Sequence, residues 1–440
     1  MEFHLPRKLA KLKRSLFLKN ILVVMSGTAI AQIVGFALTP VISRLFSPSD
    51  FGIFGSFNAI AGIIAAGVTL DYSQAIMLPK EREKAINLLA FSFVCVLTFS
   101  IVCLLVCLVI PTSVNSLMKT VGMWPLAFLV LAIMMEGVNQ SCQAWAVRSK
   151  AFKHTSASQV IRSLSSNGSK IGFGYLKLGS SGLIASNILA SVAASLNLFR
   201  VLLPDLATLR SHIRWDVMKR LAKEYRDFPM YSASQNIINA LSSGLPVLLL
   251  TRFYGIAVAG AYAFGISILQ VPTSFVLTAL RQVLFQRACE SQHEGGSLAA
   301  LYIKTTMGLF AMVLLPSLIL IIWAPQLFIW IFGSQWQLAG VLARSLVIWL
   351  AISFCNLPAV LFARIIRIQR FVFFYDIALL AMRSSALVLG GLFLGVQKTV
   401  MMFALVGSVM NALLILRVGR SVMKKEGSAN WQNVRDFMGV

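Results

Sequence analysis

Two stretches of the sequence decide the fold, SGTAIAQIVGFALTPVISRLFSPSDFGIF at 26–54 and SASQNIINALSSGLPVLLLTRFYGIAVAGAYAF at 232–264. Each is an apolar segment with a proline near its end, an arginine beyond it, and then a Gly-x-aromatic triplet. The intervals also match, because fourteen residues separate the first serine from the proline in both copies and eight separate the arginine from the glycine. This ordered series predicts a chain built from two related halves.

The composition places both halves in a membrane. Of the 440 residues, 58% are hydrophobic and 12% are charged, and the mean hydropathy is +0.80. Soluble domains carry about 25% charged residues. The length alone would suggest two or three soluble domains, but the composition predicts an integral membrane protein instead.

Apolar stretches long enough to cross a bilayer recur along the chain. A hydrocarbon core of roughly 30 Å needs about 20 apolar residues in a helix. We predict an all-α protein with twelve membrane helices, six in each half, at 20–43, 51–70, 87–110, 122–146, 157–177, 180–203, 228–251, 256–280, 305–331, 338–362, 371–394 and 398–418. The fifth and seventh are the least apolar, and a strict hydropathy cut-off would miss them.

Basic residues outnumber acidic ones, 39 to 15, and their positions predict the orientation. Cytoplasmic loops of membrane proteins carry an excess of Lys and Arg. With the N-terminus in the cytoplasm, 29 basic residues fall in inside segments and five in outside segments. This alternation supports the helix map, and it explains the net charge of +24 without nucleic acid as a partner.

The same map predicts the domain boundaries. A basic cytoplasmic segment at 1–19 precedes a six-helix bundle at 20–203, a cytoplasmic linker at 204–227 leads to a second bundle at 228–420, and a cytoplasmic tail occupies 421–440. Because six is even, the two bundles run in the same direction and are related by an axis along the membrane normal. The segment 1–19 fits a lipid-surface helix and a plain basic tail equally well.

Charged side chains inside the predicted helices mark a candidate pathway, because a charge at the bilayer centre costs roughly 2.5 to 3.5 kcal/mol. Helical spacing places Arg162 and Lys170 on one face of the fifth helix. The eleventh helix carries Asp376 and Arg383. Both charged stretches lie on the fifth helix of their half.

The intramembrane cations outnumber the intramembrane acids. The cations are Arg162, Lys170, Arg344 and Arg383, with Arg200 near a helix end, and the acids are Glu136 and Asp376. In one interpretation these ions pair and hold helices together. In the other, which we favour, the surplus cations line a central water-filled lumen that receives a diphosphate or an acidic sugar.

Amides and the remaining acids complete the candidate site. Asn167, Asn236 and Asn239 donate and accept hydrogen bonds, which suits sugar hydroxyls and suits contacts between helices equally well. The candidates for coupling or gating are Glu136, Asp376 and Asp71. For Asp71, at the cytoplasmic end of the second helix, we favour a helix-end or loop contact over a coupling role.

Three stretches resemble a known family. The stretch at 26–57, LDYSQAIMLPKEREKAINLLAFS at 70–92 and FPMYSASQNIINALSSGLPVLLLTRFYG at 228–255 are similar to the bacterial polysaccharide transporter family, the O-antigen flippases of the multidrug/oligosaccharidyl-lipid/polysaccharide exporter superfamily. The matching motif positions are Gln32, Pro40, Arg44, Gly52, Pro246 and Arg252. The resemblance implies an inner-membrane flippase that moves an undecaprenyl-diphosphate-linked oligosaccharide, such as a lipopolysaccharide O-antigen unit, to the periplasmic leaflet.

Other functions receive less support from the sequence. A membrane enzyme of polysaccharide assembly would need a larger extramembrane region or a catalytic constellation, and we predict neither. No GxxxxGK[ST] motif occurs, so direct drive by ATP is not expected. We predict no cofactor or metal, with protons or sodium ions as candidate coupling ions. The partners expected are the lipid-linked substrate, membrane lipids and other polysaccharide assembly proteins. A cation-coupled drug antiporter of the same superfamily is the alternative function.

Overall fold

A computed structural model describes residues 32–109, 124–205, 212–293, 297–366 and 368–438. Every regular element among these residues is a helix. The helices are α1 (Gln32–Leu45), α2 (Pro48–Ala65), α3 (Tyr72–Ala75), α4 (Arg82–Val109), α5 (Trp124–Arg148), α6 (Phe152–Tyr175), α7 (Gly179–Leu202), α8 (Trp215–Glu224), α9 (Ser234–Tyr254), α10 (Ile256–His293), α11 (Leu298–Phe332), α12 (Gln337–Phe354), α13 (Leu357–Ile365), α14 (Gln369–Phe393) and α15 (Val396–Met438). A π-helical turn, Phe228–Ala233, leads into α9.

The predicted membrane helices all coincide with helices of the structure, although the beginning of the first lies outside the described residues. Within the part of the chain that the structure describes, eight segments are long and apolar enough to cross a membrane. The remaining four predicted spans correspond to α1, α2, α5 and α6, which are shorter or more polar. We expected the fifth and seventh helices to be missed by a strict hydropathy cut-off. The seventh is among these eight segments, with a mean hydropathy of 1.3 in its best window, whereas the fifth is not. The chain is a multi-pass membrane protein, and the predicted fold class is confirmed.

Several helix boundaries differ from the prediction, and the eighth predicted helix, for example, continues beyond 280 to His293. The second predicted helix ends at Ala65, and the turn 66–71 and the short α3 follow it. The tenth is broken between α12 and α13, where Pro358 lacks the N–H that would bond the carbonyl of Phe354. The twelfth continues through the predicted tail to Met438.

The described residues form two compact units. Unit 1 comprises those of Met1–Phe46 and Phe57–Ala240, and unit 2 comprises those of Ser47–Ser56 and Leu241–Val440. This division falls inside α9 and not in the 204–227 connection, because the end of that connection packs on unit 1. The Tyr72 hydroxyl donates to the carbonyl of Ala222 at 2.9 Å, and buried Asn87 bonds both His212 and Arg214 through their main chain. The predicted bundle boundaries rest on the repeat and stay a prediction.

Each unit has its own apolar core. In unit 1 the buried core includes Ile76, Leu88, Trp145 and Leu221. In unit 2 it includes Tyr302, Phe354, Phe362, Leu414 and Val418. Within each unit, the core packs side chains of several helices together.

The two glycines of the repeat bring two helix backbones into contact within unit 2. A Cβ on Gly52 would lie 2.0 Å from the carbonyl oxygen of Ile256, and a Cβ on Gly260 would lie 1.8 Å from that of Pro48. The contact is reciprocal, because Pro48 and Ile256 each begin a helix and each glycine comes four residues later. Only glycine permits this approach, which explains the Gly-x-aromatic triplet of both copies.

We expect Gly52→Ala and Gly260→Ala each to destabilise the protein by about 1 to 3 kcal/mol, because the added methyl group forces the two helix starts apart. The matched control is Gly62→Ala in the same helix α2, where a Cβ meets nothing within 4 Å. Thermal unfolding of the purified protein in detergent measures the effect. Equal melting temperatures for all three variants would contradict the close approach.

Candidate functional site

An ion pair in unit 1 joins two predicted membrane helices. The Nη2 atom of Arg162 on α6 lies 2.7 Å from Oε2 of Glu136 on α5. The same nitrogen donates to the Ser191 hydroxyl of α7 at 3.2 Å. Both charged side chains are about one-third exposed, at 32% and 33%, so the pair is reachable from open space. The carboxylate and the hydroxyl together orient the guanidinium.

A polar cavity of about 270 Å³, which we call the pair cavity, surrounds this ion pair. Its polar lining is Asn58, Glu136, Gln140, Arg162, Asn187 and Ser191. Asn187 donates to the side-chain oxygen of Asn58 at 3.1 Å. Charged groups, amides and a hydroxyl thus meet within one membrane-embedded unit, where they can bind an anionic or a polyhydroxylated ligand.

A second cavity of unit 1, of about 380 Å³, is lined by Asp71 and amides and is called the Asp71 cavity here. Its polar lining is Asp71, Ser73, Gln74, Gln140, Gln143 and Asn236. Gln140 lines both cavities. It lies 3.4 Å from the Thr69 hydroxyl, which donates to its Oε1, and its Nε2 lies 3.4 Å from the carbonyl of Ala65.

The backbone at Asp71 has an uncommon conformation. Leu70 and Asp71 both have positive φ angles, 47° and 58°. Left-handed backbone is costly for leucine, whereas aspartate adopts it more readily. Burial raises the pKa of the Asp71 carboxyl to about 6. No side-chain cap bond of Asp71 to α3 is seen, so the favoured helix-end role gains no support there.

Ser163 and Asn167, on the predicted polar face of α6, lie near Gly35 of α1 in unit 1. Asn167 donates to the carbonyl of Ser163 at 2.8 Å. A Cβ on Gly35 of α1 would lie 3.4 Å from the Asn167 amide nitrogen. Lys170 is half-buried one turn further along α6. The structure therefore places Asn167 in a helix contact and brings only Arg162 of these residues into the pair cavity.

In unit 2, the predicted cations Arg383 and Arg344 lie beside aromatic rings and a main-chain carbonyl. Arg383 is 7% exposed, and its guanidinium carbon lies 4.1 Å from the ring centre of Trp349 and 4.0 Å from that of Phe403. Stacking between two rings stabilises the cation through cation–π attraction. Arg344 is exposed and donates to the carbonyl of Ile322 at 2.9 Å. Asp376 is half-buried on α14.

The remaining predicted residues are dispersed. Asn236 lines the Asp71 cavity, and Asn239 is exposed one turn later on α9. The Oε1 atom of Gln32 is buried, and no described group bonds it. The Ser43 hydroxyl donates to the carbonyl of Pro40. Pro246 is buried in α9, and Arg44 and Arg252 are both exposed.

Three residues of the pair cavity, Asn58, Asn187 and Ser191, escaped the sequence analysis. Asn58 is the one amide of α2, whereas α7 carries Asn187 and Asn197. A search for a lone amide inside an apolar helix would have found Asn58. Among the described residues, no group of three or more His, Cys, Asp or Glu side chains is placed to hold a metal ion.

Comparison with known proteins gives both a family and a fold. Residues 41–341 match the model of a family described as polysaccharide biosynthesis protein. No curated protein sequence is significantly similar to the chain. A multidrug resistance MATE family transporter of the MOP superfamily, in its inward-facing conformation, superposes with a TM-score of 0.71 at 17% identity, covering 92% of this chain and 99% of that one.

Two further solved structures have the same fold. A MATE in complex with MaL6 has a TM-score of 0.59 at 14% identity and covers 92% of this chain and 97% of that one. The outward-facing conformation of a multidrug resistance MATE family transporter has a TM-score of 0.55 at 15% identity, covering 92% and 96%. At such identities the likeness concerns the fold alone.

We expect Glu136 and Arg162 to be energetically coupled. In a double-mutant cycle with Glu136→Gln and Arg162→Gln, the coupling should be about 1 kcal/mol, between the values for exposed ion pairs and for buried charged hydrogen bonds, because both side chains are a third exposed. Thermal unfolding of the four proteins gives the value. The exposed pair Lys84–Glu81, at 3.0 Å, is the matched control and should show no measurable coupling. Additive single effects at Glu136 and Arg162 would contradict the pair.

Proposed function

This chain belongs to the polysaccharide biosynthesis protein family, and we propose that it translocates a lipid-linked oligosaccharide across the bacterial inner membrane. The proposed substrate is an undecaprenyl-diphosphate-linked unit of an O-antigen or another surface polysaccharide, and it moves from the cytoplasmic to the periplasmic leaflet. Both termini are then cytoplasmic. The chain acts as a transporter and catalyses no covalent step.

The pair cavity is the observation that carries this proposal. Arg162 has five N–H donors, so it can bind a phosphate or an acidic sugar in addition to Glu136 and Ser191. Gln140 and Asn187 add amides at the same cavity. An oligosaccharide with an anionic carrier presents both of the chemistries that this lining recognises.

A cation-coupled drug antiporter is the second candidate, because the fold is shared with MATE transporters. A cationic drug requires an acidic binding site. In the pair cavity the carboxylate of Glu136 is already bound by Arg162 at 2.7 Å. Arg162 keeps further N–H donors beside this pair, so the cavity can bind an anionic ligand, in keeping with the family.

We further propose that Asp71 takes part in proton coupling. With a pKa of about 6, its carboxyl can change protonation state near neutral pH. Asp71 is the one titratable side chain in the described lining of its cavity, and the other polar side chains there are mainly amides. Gln140 contacts this cavity and the pair cavity, so the charge of Asp71 can influence how Gln140 presents its amide to a ligand.

The function is tested by following the leaflet of the lipid-linked intermediate in cells that lack the protein. We expect the intermediate to accumulate in the cytoplasmic leaflet, and Arg162→Ala to restore less than a tenth of wild-type translocation, because the anion loses its cationic partner. The matched control Arg200→Ala removes an exposed cation of the same unit and should restore translocation fully. Drug sensitivity with an unchanged lipid distribution would instead identify the antiporter.

The role of Asp71 predicts a pH dependence. The raised pKa means that the folded protein binds this proton more tightly than the unfolded chain, so the stabilising contribution is present near pH 4 and is lost as the pH rises through 6. Asp71→Asn mimics the protonated form, so its melting temperature should exceed that of the wild type more at pH 7.5 than at pH 4.5. The exposed Asp216→Asn is the control. A pH-independent difference would contradict the burial of the carboxyl, and unchanged pH dependence of translocation would exclude the coupling role.

A further inference from the structure

A groove on unit 2 lies between α14 and α15 and is apolar along most of its length. Its volume is about 520 Å³, larger than either cavity of unit 1. Phe371 and Phe374 of α14 and Leu413 of α15 belong to its apolar wall. Phe374 is 67% exposed, so the open side of the groove is apolar as well. We call this the α14–α15 groove.

Two arginines line the same groove. Arg417 and Arg420 of α15 are three residues apart, and Leu413 lies one turn before Arg417, so the three side chains follow one another along a single helix face. Both arginines are exposed. A two-residue connection makes α14 and α15 an antiparallel hairpin, which places the arginines level with the beginning of α14.

The length of the groove matches one leaflet of a bilayer. Met410 and Arg420 are both in its lining and are ten residues apart, which is about 15 Å along a helix. The hydrocarbon core of a bilayer is roughly 30 Å thick. An acyl chain of one leaflet therefore fits along the apolar wall, and its headgroup then lies beside the arginines at the membrane surface.

A buried hydroxyl of the groove has no partner among the described residues. Tyr375 lines the groove and is 8% exposed, and its hydroxyl bonds to no described group. Buried polar groups are almost always hydrogen-bonded. Tyr375 lies about one turn of α14 deeper than Phe371, which is the depth at which a glycerolipid carries ester oxygens below its phosphate.

We propose that the α14–α15 groove binds an anionic phospholipid of one leaflet. Arg417 and Arg420 bind its phosphate, the Tyr375 hydroxyl donates to an oxygen of its headgroup region, and one acyl chain occupies the apolar wall. Basic pockets between membrane helices bind anionic headgroups in this manner. The site is separate from both cavities of unit 1, and it does not depend on the proposed transport function.

The proposal is tested by native mass spectrometry of the purified full-length protein with added phosphatidylglycerol and phosphatidylcholine. We expect phosphatidylglycerol to bind roughly tenfold more tightly, and joint replacement by Arg417→Ala and Arg420→Ala to remove this preference. Tyr375→Phe should weaken binding several-fold. The matched control, Lys304→Ala with Lys398→Ala, removes the same charge from unit 2 outside the groove and should change binding less than twofold.

A second measurement keeps the test independent of folding defects. Arg417→Lys with Arg420→Lys retains the charge and should retain most of the preference, and Phe374→p-benzoylphenylalanine should cross-link phosphatidylglycerol upon illumination of membranes. Equal binding of the two phospholipids would overturn the proposal. A polyprenyl phosphate that binds more tightly than phosphatidylglycerol, and loses this binding in the Ala variants, would also overturn it by assigning the groove to the carrier lipid.

Discussion

A cation inside a bilayer must be solvated, paired or placed against polarisable groups, and this constraint organises the polar interior of the protein. Arg162 is paired with Glu136. Arg344 donates to a main-chain carbonyl of α11. Arg383 is enclosed by Trp349 and Phe403. Of these three cations, only Arg162 is combined with a carboxylate, a hydroxyl and amides around open space. These environments have different consequences. A guanidinium enclosed between two rings contributes to packing, whereas a partly exposed guanidinium beside a cavity remains available to a ligand.

The glycine contact shows how the internal repeat is used. The repeat places a glycine four residues into α2 and four residues into α10, and each glycine lies against the first residue of the other helix. One copy of the motif thus provides the surface against which the other packs within unit 2. Nearby, Ser47 and Asp50 form a capping box at the start of α2, in which the Ser47 N–H donates to the Asp50 carboxylate. The motif is a packing device, and this role accounts for its glycine without any contact to a ligand.

The fold class could be predicted from the sequence, because most crossings are long apolar stretches, and the repeat and the alternation of basic loops supplied the shorter or more polar ones. The partners of the charged residues could not. Counting acids against bases suggested a surplus of unpaired cations, but Arg344 and Arg383 are stabilised by a carbonyl and by aromatic rings, which a charge count omits. Asn58 escaped notice because a single amide in an apolar helix forms no pattern, and Asn187 because its spacing to Asn197 places the two on different faces of α7. The left-handed turn at Leu70 and Asp71 contains no glycine at either position, so the sequence does not predict it. Only the structure reveals the Asp71 cavity.

In the proposed mechanism, Gln140 links the titrating group to the ligand site. Its amide oxygen accepts from Thr69, its nitrogen lies near the carbonyl of Ala65, and both distances are 3.4 Å, which is long for a hydrogen bond. Weak bonds of this kind are exchanged at little cost. When Asp71 loses its proton, it becomes a stronger acceptor and competes for amide donors in its cavity. When the Gln140 amide is drawn toward Asp71, it is withdrawn from the pair cavity, where Arg162, Asn58 and Asn187 remain as donors for an anionic ligand. The protonation of Asp71 would thereby be coupled to the binding properties of the other cavity through one side chain, without any rearrangement of the helices.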